Sequence, residues 1–137
     1  MIYLCNEAAT RDAILSQFRR HLIENPQIKQ GDAIIIYYAG HGGRVDAPSG
    51  WTSSDGKIET ICPHDEWMLD LEGNAIPGIP DRTINELLRR LASEKGNNIV
   101  RVLIRPMFSH SKLDSWLFRL LFLTPVILVV SRARIRL

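Results

Sequence analysis

Cysteine is scarce in this chain, with only Cys5 and Cys62 present. Two cysteines make no disulfide framework, which favours a reducing, cytoplasmic compartment. No Cys-x-x-Cys and no His-Glu-x-x-His occurs, so a metal site built on nitrogen or sulfur is excluded. There is no Gly-x-Ser-x-Gly elbow either, so a lipase-like oxyanion loop at His41 to Gly43 would lack its nucleophile. The first residues lack a basic region followed by a long apolar stretch, and no secretory signal is expected. A strongly apolar run from Trp116 to Val130 is interrupted by Arg119 and Pro125. That leaves 11 residues between Arg119 and the end of the run, short of the roughly 18 to 20 that a bilayer demands. Arg132, Arg134 and Arg136 flank the run on one side, as a cytoplasmic anchor would require. The expectation is nonetheless an aggregation-prone segment rather than a membrane tail. Those basic residues are not interleaved with a binding fold, so no nucleic-acid partner is expected. Internal repeats and low-complexity tracts are absent.

What remains is one domain's worth of chain, 137 residues with 45% hydrophobic content, ordinary for a globular protein. Its formal charge of +2 hides an asymmetry. Residues 1 to 100 hold 10 Lys and Arg against 14 Asp and Glu, net −4, whereas residues 101 to 137 hold 7 against 1, net +6. Asn6 and Thr10 offer caps for an amphipathic helix running to about Glu24, with Ala13, Ile14, Phe18, His21 and Leu22 on its apolar face. Asn25-Pro26 ends it. Lys57 to Ile61 alternates apolar and polar positions and reads as a short strand closed by Pro63. Asp81 looks like the cap of a second helix carrying Ile84, Leu87, Leu88 and Leu91, supported by Glu86 and Arg90 at i,i+4 and stopped by Gly96. Ile99 and Val100 begin what should be a parallel strand, which makes the chain α/β.

The stretch Gly31-Asp-Ala-Ile-Ile-Ile-Tyr-Tyr-Ala-Gly-His-Gly-Gly-Arg44 organises the rest. Ala33 to Ala39 fits a strand buried on both faces, and it stops at glycine. Gly40, Gly42 and Gly43 surround His41, placing an imidazole at the C-terminal end of a core strand, where open α/β sheets keep their chemistry. His41 can exchange a proton near neutral pH, and the Gly42 N–H beside it can stabilise an oxyanion. The Pro/Ser/Gly-rich segment from Val45 to Asp55 reads as a surface loop next to this turn.

Asn6-Glu-Ala-Ala-Thr-Arg, Gly31-Asp through Tyr37-Tyr-Ala-Gly-His-Gly-Gly, Ile61-Cys-Pro-His-Asp, Ile79-Pro-Asp-Arg-Thr-Ile and Lys95-Gly-Asn-Asn-Ile resemble, in that order, the caspase-like cysteine peptidases, in particular the metacaspase-type domains of fungi. The likeness covers roughly residues 3 to 100. It implies a partial caspase-like three-layer sandwich, a mostly parallel sheet between helices, acting on peptide or protein substrates with a preference for basic residues. It also implies that His41 is the dyad histidine and that Gly42 supplies an oxyanion amide. The family's nucleophile lies in an Asp-x-Cys-His-Ser-Gly turn after the next strand, about 50 residues or more beyond the histidine. Here that falls near Arg105 to Ser109, which reads Arg-Pro-Met-Phe-Ser. The family's first strand and helix and its later strands have no counterpart, so the expectation is an internal slice (1–100) followed by an unrelated tail (101–137) from translated intron or shifted-frame sequence.

Cys62, inside an apolar segment before proline, is expected to be an inert packed thiol, as is Cys5. Asp65 and His64 follow Pro63 at a strand end, and Asp65 is the candidate substrate contact beside a turn role. Asp55, Asp65, Asp70 and Asp81 are similar to the acidic residues with which some metacaspases bind calcium. They match no dedicated calcium loop, so no cofactor is expected. The function implied is that of a cysteine-type endopeptidase domain without its nucleophile. The alternatives are a non-catalytic interaction module and a membrane-tethered fragment.

Overall fold

The structure, a computed structural model, describes residues 2–104 and 126–131. Strand β1 (Ile2–Cys5) leads through a 3₁₀ turn (Asn6–Ala8) to helix α1 (Arg11–Phe18), which runs on as one turn of π-helix (Arg19–Ile23). There follow β2 (Ile34–Ala39), β3 (Gly42–Asp46), β4 (Lys57–Ile61), β5 (Ile79–Pro80), α2 (Asp81–Lys95), β6 (Ile99–Ile104) and β7 (Val126–Ser131). These strands form two sheets, one ordered β1-β7-β2-β6 and one ordered β3-β4-β5.

The α/β class holds. Strands β2 and β6 pair in parallel from Ile34↔Ile99 to Ala39↔Ile104, and α2 lies in the connection between them. The sheet is not mostly parallel, because β7 pairs antiparallel with both β1 and β2. Strand β6 runs through the boundary expected at residue 100, and β7 comes from the segment expected to be an unrelated tail. The expected nucleophile position (Arg105 to Ser109), the apolar run from Trp116 to Pro125 and the three arginines near the end lie outside the described residues. Among the described residues no helix is long and apolar enough to cross a membrane.

Helix α1 begins where Thr10 Oγ1 accepts the Ala13 N–H at 3.2 Å. Asn6, the other cap expected, sits instead in the 3₁₀ turn with φ +53°. The π turn closes when the Glu24 N–H reaches back five residues to Arg19 O at 2.8 Å. That wider turn rotates the apolar stripe from Ile14 and Phe18 onto Leu22 and Ile23, which are buried. His21, expected on the same stripe, is left exposed. In α2 the cap position is Pro80 and Asp81 is the first helical residue, its Oδ1 accepting the Arg82 N–H at 2.7 Å. Proline fits there because its fixed φ directs the chain into the helix without needing a donor. Glu86 pairs with Arg89 at 3.4 Å rather than with Arg90. Gly96 ends the helix at φ +90°, a conformation that favours glycine.

The core lies between the larger sheet and the two helices. Ile34, Ile36 and Tyr38 of β2 turn towards Ile14, Phe18, Leu22, Leu87 and Leu91. The alternating positions face away from the helices, and there Ile35 is 38% exposed and Val100 52%. The expected burial of β2 on both faces is therefore corrected. Among the described residues both helices pack on one face, giving two layers.

Candidate functional site

Strand β2 ends at Ala39, and the turn Gly40-His41 carries the chain into β3, which folds back on β4 with Gly42 opposite Ile61. The strand takes in Gly42 and Gly43 of the expected turn and Val45 and Asp46 of the expected loop. The glycines hid a strand, since Gly42 and Gly43 carry no side chain to display the alternation that Arg44, Val45 and Asp46 continue.

Three bonds hold the turn. Tyr38 Oη donates to His41 O at 2.7 Å and lies 3.2 Å from Cys62 O, while the Cys62 N–H donates to His41 O at 2.9 Å. Tyr38 is 3% exposed, so the backbone of the exposed histidine is anchored from the core. Antiparallel ladders alternate between bonded and non-bonded pairs. The bond from Cys62 to His41 makes that pair a bonded one, so the next pair, Gly42 and Ile61, is non-bonded. The Gly42 N–H is thereby directed away from β4, on the edge strand of its sheet. An exposed imidazole and an outward amide thus stand side by side at the C-terminal end of β2. A proton acceptor and an oxyanion donor both have to be open to a substrate.

Cys62 is the cross-strand neighbour of His41, and residues opposite one another in such a ladder share a face. It is half-buried, and a Cβ built on Gly43 would lie 3.6 Å from its Sγ and 2.9 Å from Thr60 Oγ1. The expectation of a packed thiol was drawn from its apolar neighbours. The spacing could not reveal that β3 brings His41 across from it.

Asp65 has a structural occupation, its Oδ1 accepting the Arg11 N–H at 2.7 Å at the start of α1. The neighbouring His64 N–H donates to Ala9 O at 2.9 Å. The four aspartates considered for calcium are held apart by separate partners. Asp55 takes Lys57 N–H, Ser53 Oγ and Arg44. Asp70 takes the N–H groups of Glu72 and Asn74, and Asp81 takes Arg82 N–H. Among the described residues no three acidic, histidine or cysteine side chains gather in a way that could hold a metal ion. The loop after β3 is tied down by the Arg44–Asp55 pair and by Arg82, which donates to Thr52 O and lies 5.2 Å from the Trp51 ring centre.

Comparisons with family models, with curated proteins and with solved structures return no match.

Two of these loop carboxylates carry a testable pH signature. The Lys57 N–H holds Asp55 below its ordinary value of 3.8 against an opposing effect of desolvation, with Ser53 and Arg44 adding to the lowering. The Asn74 N–H does the same for Asp70, again opposed by desolvation and helped by Glu72. A carboxyl whose folded value is depressed contributes stability above its unfolded value, and that contribution is lost as pH falls through the folded value. The urea midpoint is therefore expected to fall as the pH drops from about 5 through the unfolded value of 3.8 and below, and to fall less in the Asp55→Asn/Asp70→Asn variant. An unchanged drop in that variant would contradict the assignment.

Proposed function

We propose that this chain is a caspase-like domain of metacaspase type, derived from cysteine endopeptidases and catalytically silent because no thiol stands at the nucleophile position. The observation that carries the reading is the pairing of the exposed His41 with the outward Gly42 N–H at the end of β2, with β6 ending beside it in register at Ala39↔Ile104. The residues that follow β6 in sequence start at Arg105, the position where the resemblance expects the nucleophile, and they contain no cysteine.

In the intact chemistry a thiol gives its proton to the imidazole and attacks the peptide carbonyl. The Gly42 N–H stabilises the resulting oxyanion, and the imidazolium then protonates the leaving amine. Gly42 and His41 supply the second and third of these roles, and His41 also receives the proton given up in the first. Neither forms the acyl bond, and loss of the nucleophile of such a unit removes most of the rate enhancement.

The test is hydrolysis of a fluorogenic arginyl peptide amide by the full chain, with and without calcium. Release at the buffer rate, identical in His41→Ala, is expected. Turnover that depends on His41 would overturn the proposal.

A further inference from the structure

Between β4 and β5 the chain folds out into a small hairpin, residues 66–76, closed by a bridge between Leu69 and Ala75. Asp70 makes its turn. The Asp70 N–H donates to Asn74 O at 2.8 Å, and Asp70 Oδ1 accepts the N–H groups of Glu72 and Asn74 at 2.9 and 2.8 Å. Those bonds fix the backbone without burying the side chains it carries. Trp67 is 62% exposed and Leu69 71%, Met68 is exposed, and Leu71 is fully so. Large apolar residues exposed singly need no explanation, whereas a contiguous group interrupted by polar ones marks a contact surface.

The backbone at Trp67 is a second sign. Its N–H donates to Ile76 O and the Ile76 N–H to Met68 O, both at 2.8 Å, so that two residues face one, as in a β-bulge. Trp67 holds this place at φ +69°, where glycine is favoured and a bulky side chain is strained. Among the described residues the ring gains little burial to offset that strain, so the compensation lies in a contact outside the chain.

Charge selects the occupant. No lysine or arginine occurs between Lys57 and Arg82, and Asp70 and Glu72 stand exposed among the apolar side chains. An anionic lipid surface would be repelled by them, and a neutral bilayer would have to strip water from both carboxylates. A cationic peptide segment pairs with the carboxylates while its apolar residues cover Trp67 and Leu71. Tryptophan and methionine are enriched at such interfaces.

We infer that the 66–76 hairpin docks a partner protein through a cationic amphipathic segment, one in which lysine or arginine accompanies large apolar side chains. No hairpin residue bonds to the His41 turn, and the inference does not depend on the peptidase reading.

The probe is a fluorescent peptide of alternating leucine and lysine, titrated with the full chain and read by anisotropy. Peptides alternating serine with lysine and leucine with glutamate are its controls. Saturable binding of the leucine–lysine peptide is expected, weakening as salt is raised. It should be about tenfold tighter than that of the serine–lysine peptide, with no binding of the leucine–glutamate peptide. Trp67→Gly should bind about tenfold more weakly while its urea midpoint holds or rises, because glycine relaxes the backbone at positive φ. Leu71→Ser, which alters a fully exposed side chain, should also lose affinity at an unchanged midpoint, and it stands alone should Trp67→Gly not fold. Absence of saturable binding to the natural chain would overturn the inference, as would equal binding of the leucine–glutamate peptide or unchanged affinity in either folded variant. Sedimentation with phosphatidylcholine vesicles that is lost in Trp67→Gly or Leu71→Ser would overturn it too, assigning the hairpin to a lipid surface.

Discussion

Replacing Leu91 by alanine is expected to destabilise the protein by about 2 to 5 kcal/mol, the range for emptying a buried leucine site. Leu91 is fully buried on α2 and belongs to the cluster that holds Leu22 and Ile34, both also fully buried. It lies away from a cavity between the helices and the larger sheet, in the part of the core where the π turn and α2 meet, so collapse around the lost atoms is limited. Native domains are stable by only about 5 to 15 kcal/mol, so the variant should show a much lower urea midpoint. Leu88→Ala, on the same helix but half-buried at the cavity wall, should lose much less. Equal losses at the two positions would mean that the core is not centred where α2 crosses the π turn.

Gly40→Ala is the second large effect, and it reaches the candidate site. Gly40 is buried, and a Cβ there would lie 2.6 Å from Tyr38 Oη and 2.7 Å from Tyr38 Cζ. The ring cannot swing aside without breaking the hydroxyl's bonds to the carbonyls of His41 and Cys62. Overpacking of this kind costs typically about 1 to 3 kcal/mol. Because Tyr38 anchors the His41 carbonyl, which also receives the Cys62 N–H, that amide should exchange with solvent faster in Gly40→Ala than in the natural chain. Unchanged exchange at Cys62 would show that the turn keeps its form without the tyrosine.

Much of this arrangement is legible in the residues. Ala33 to Ala39 reads as a strand from its β-branched and aromatic run, Lys57 to Ile61 from its alternation, and the helix opening at Asp81 from its leucine spacing, with Thr10 and Gly96 marking a helix start and a helix end. Where the reading fell short, a longer-range effect had overridden the local signal. Four residues from Ile2 to Cys5 are too few to show a period, and they become a strand because β7 pairs with them. Gly42 and Gly43 conceal β3. The π turn displaces His21 from a stripe that an ordinary helix would share with Leu22. The open face of β2 is invisible in a run of isoleucines, since composition does not say which face the helices cover. At the candidate site His41 and Gly42 were readable from the glycine-flanked turn. The position of Cys62 across from His41 depends on a ladder that only the fold supplies.

That cross-strand thiol makes the decisive measurement a chemical one. The full chain is incubated with an arginyl peptide carrying a thiol-reactive acyloxymethyl ketone, and the intact mass is read. A caspase-like dyad would be captured in a single stoichiometric adduct, whereas a histidine without its nucleophile leaves the reagent unreacted. The unmodified mass is expected, alike for the natural chain and for Cys62→Ala. One adduct per chain, mapped to Cys62 and lost in His41→Ala, would contradict it.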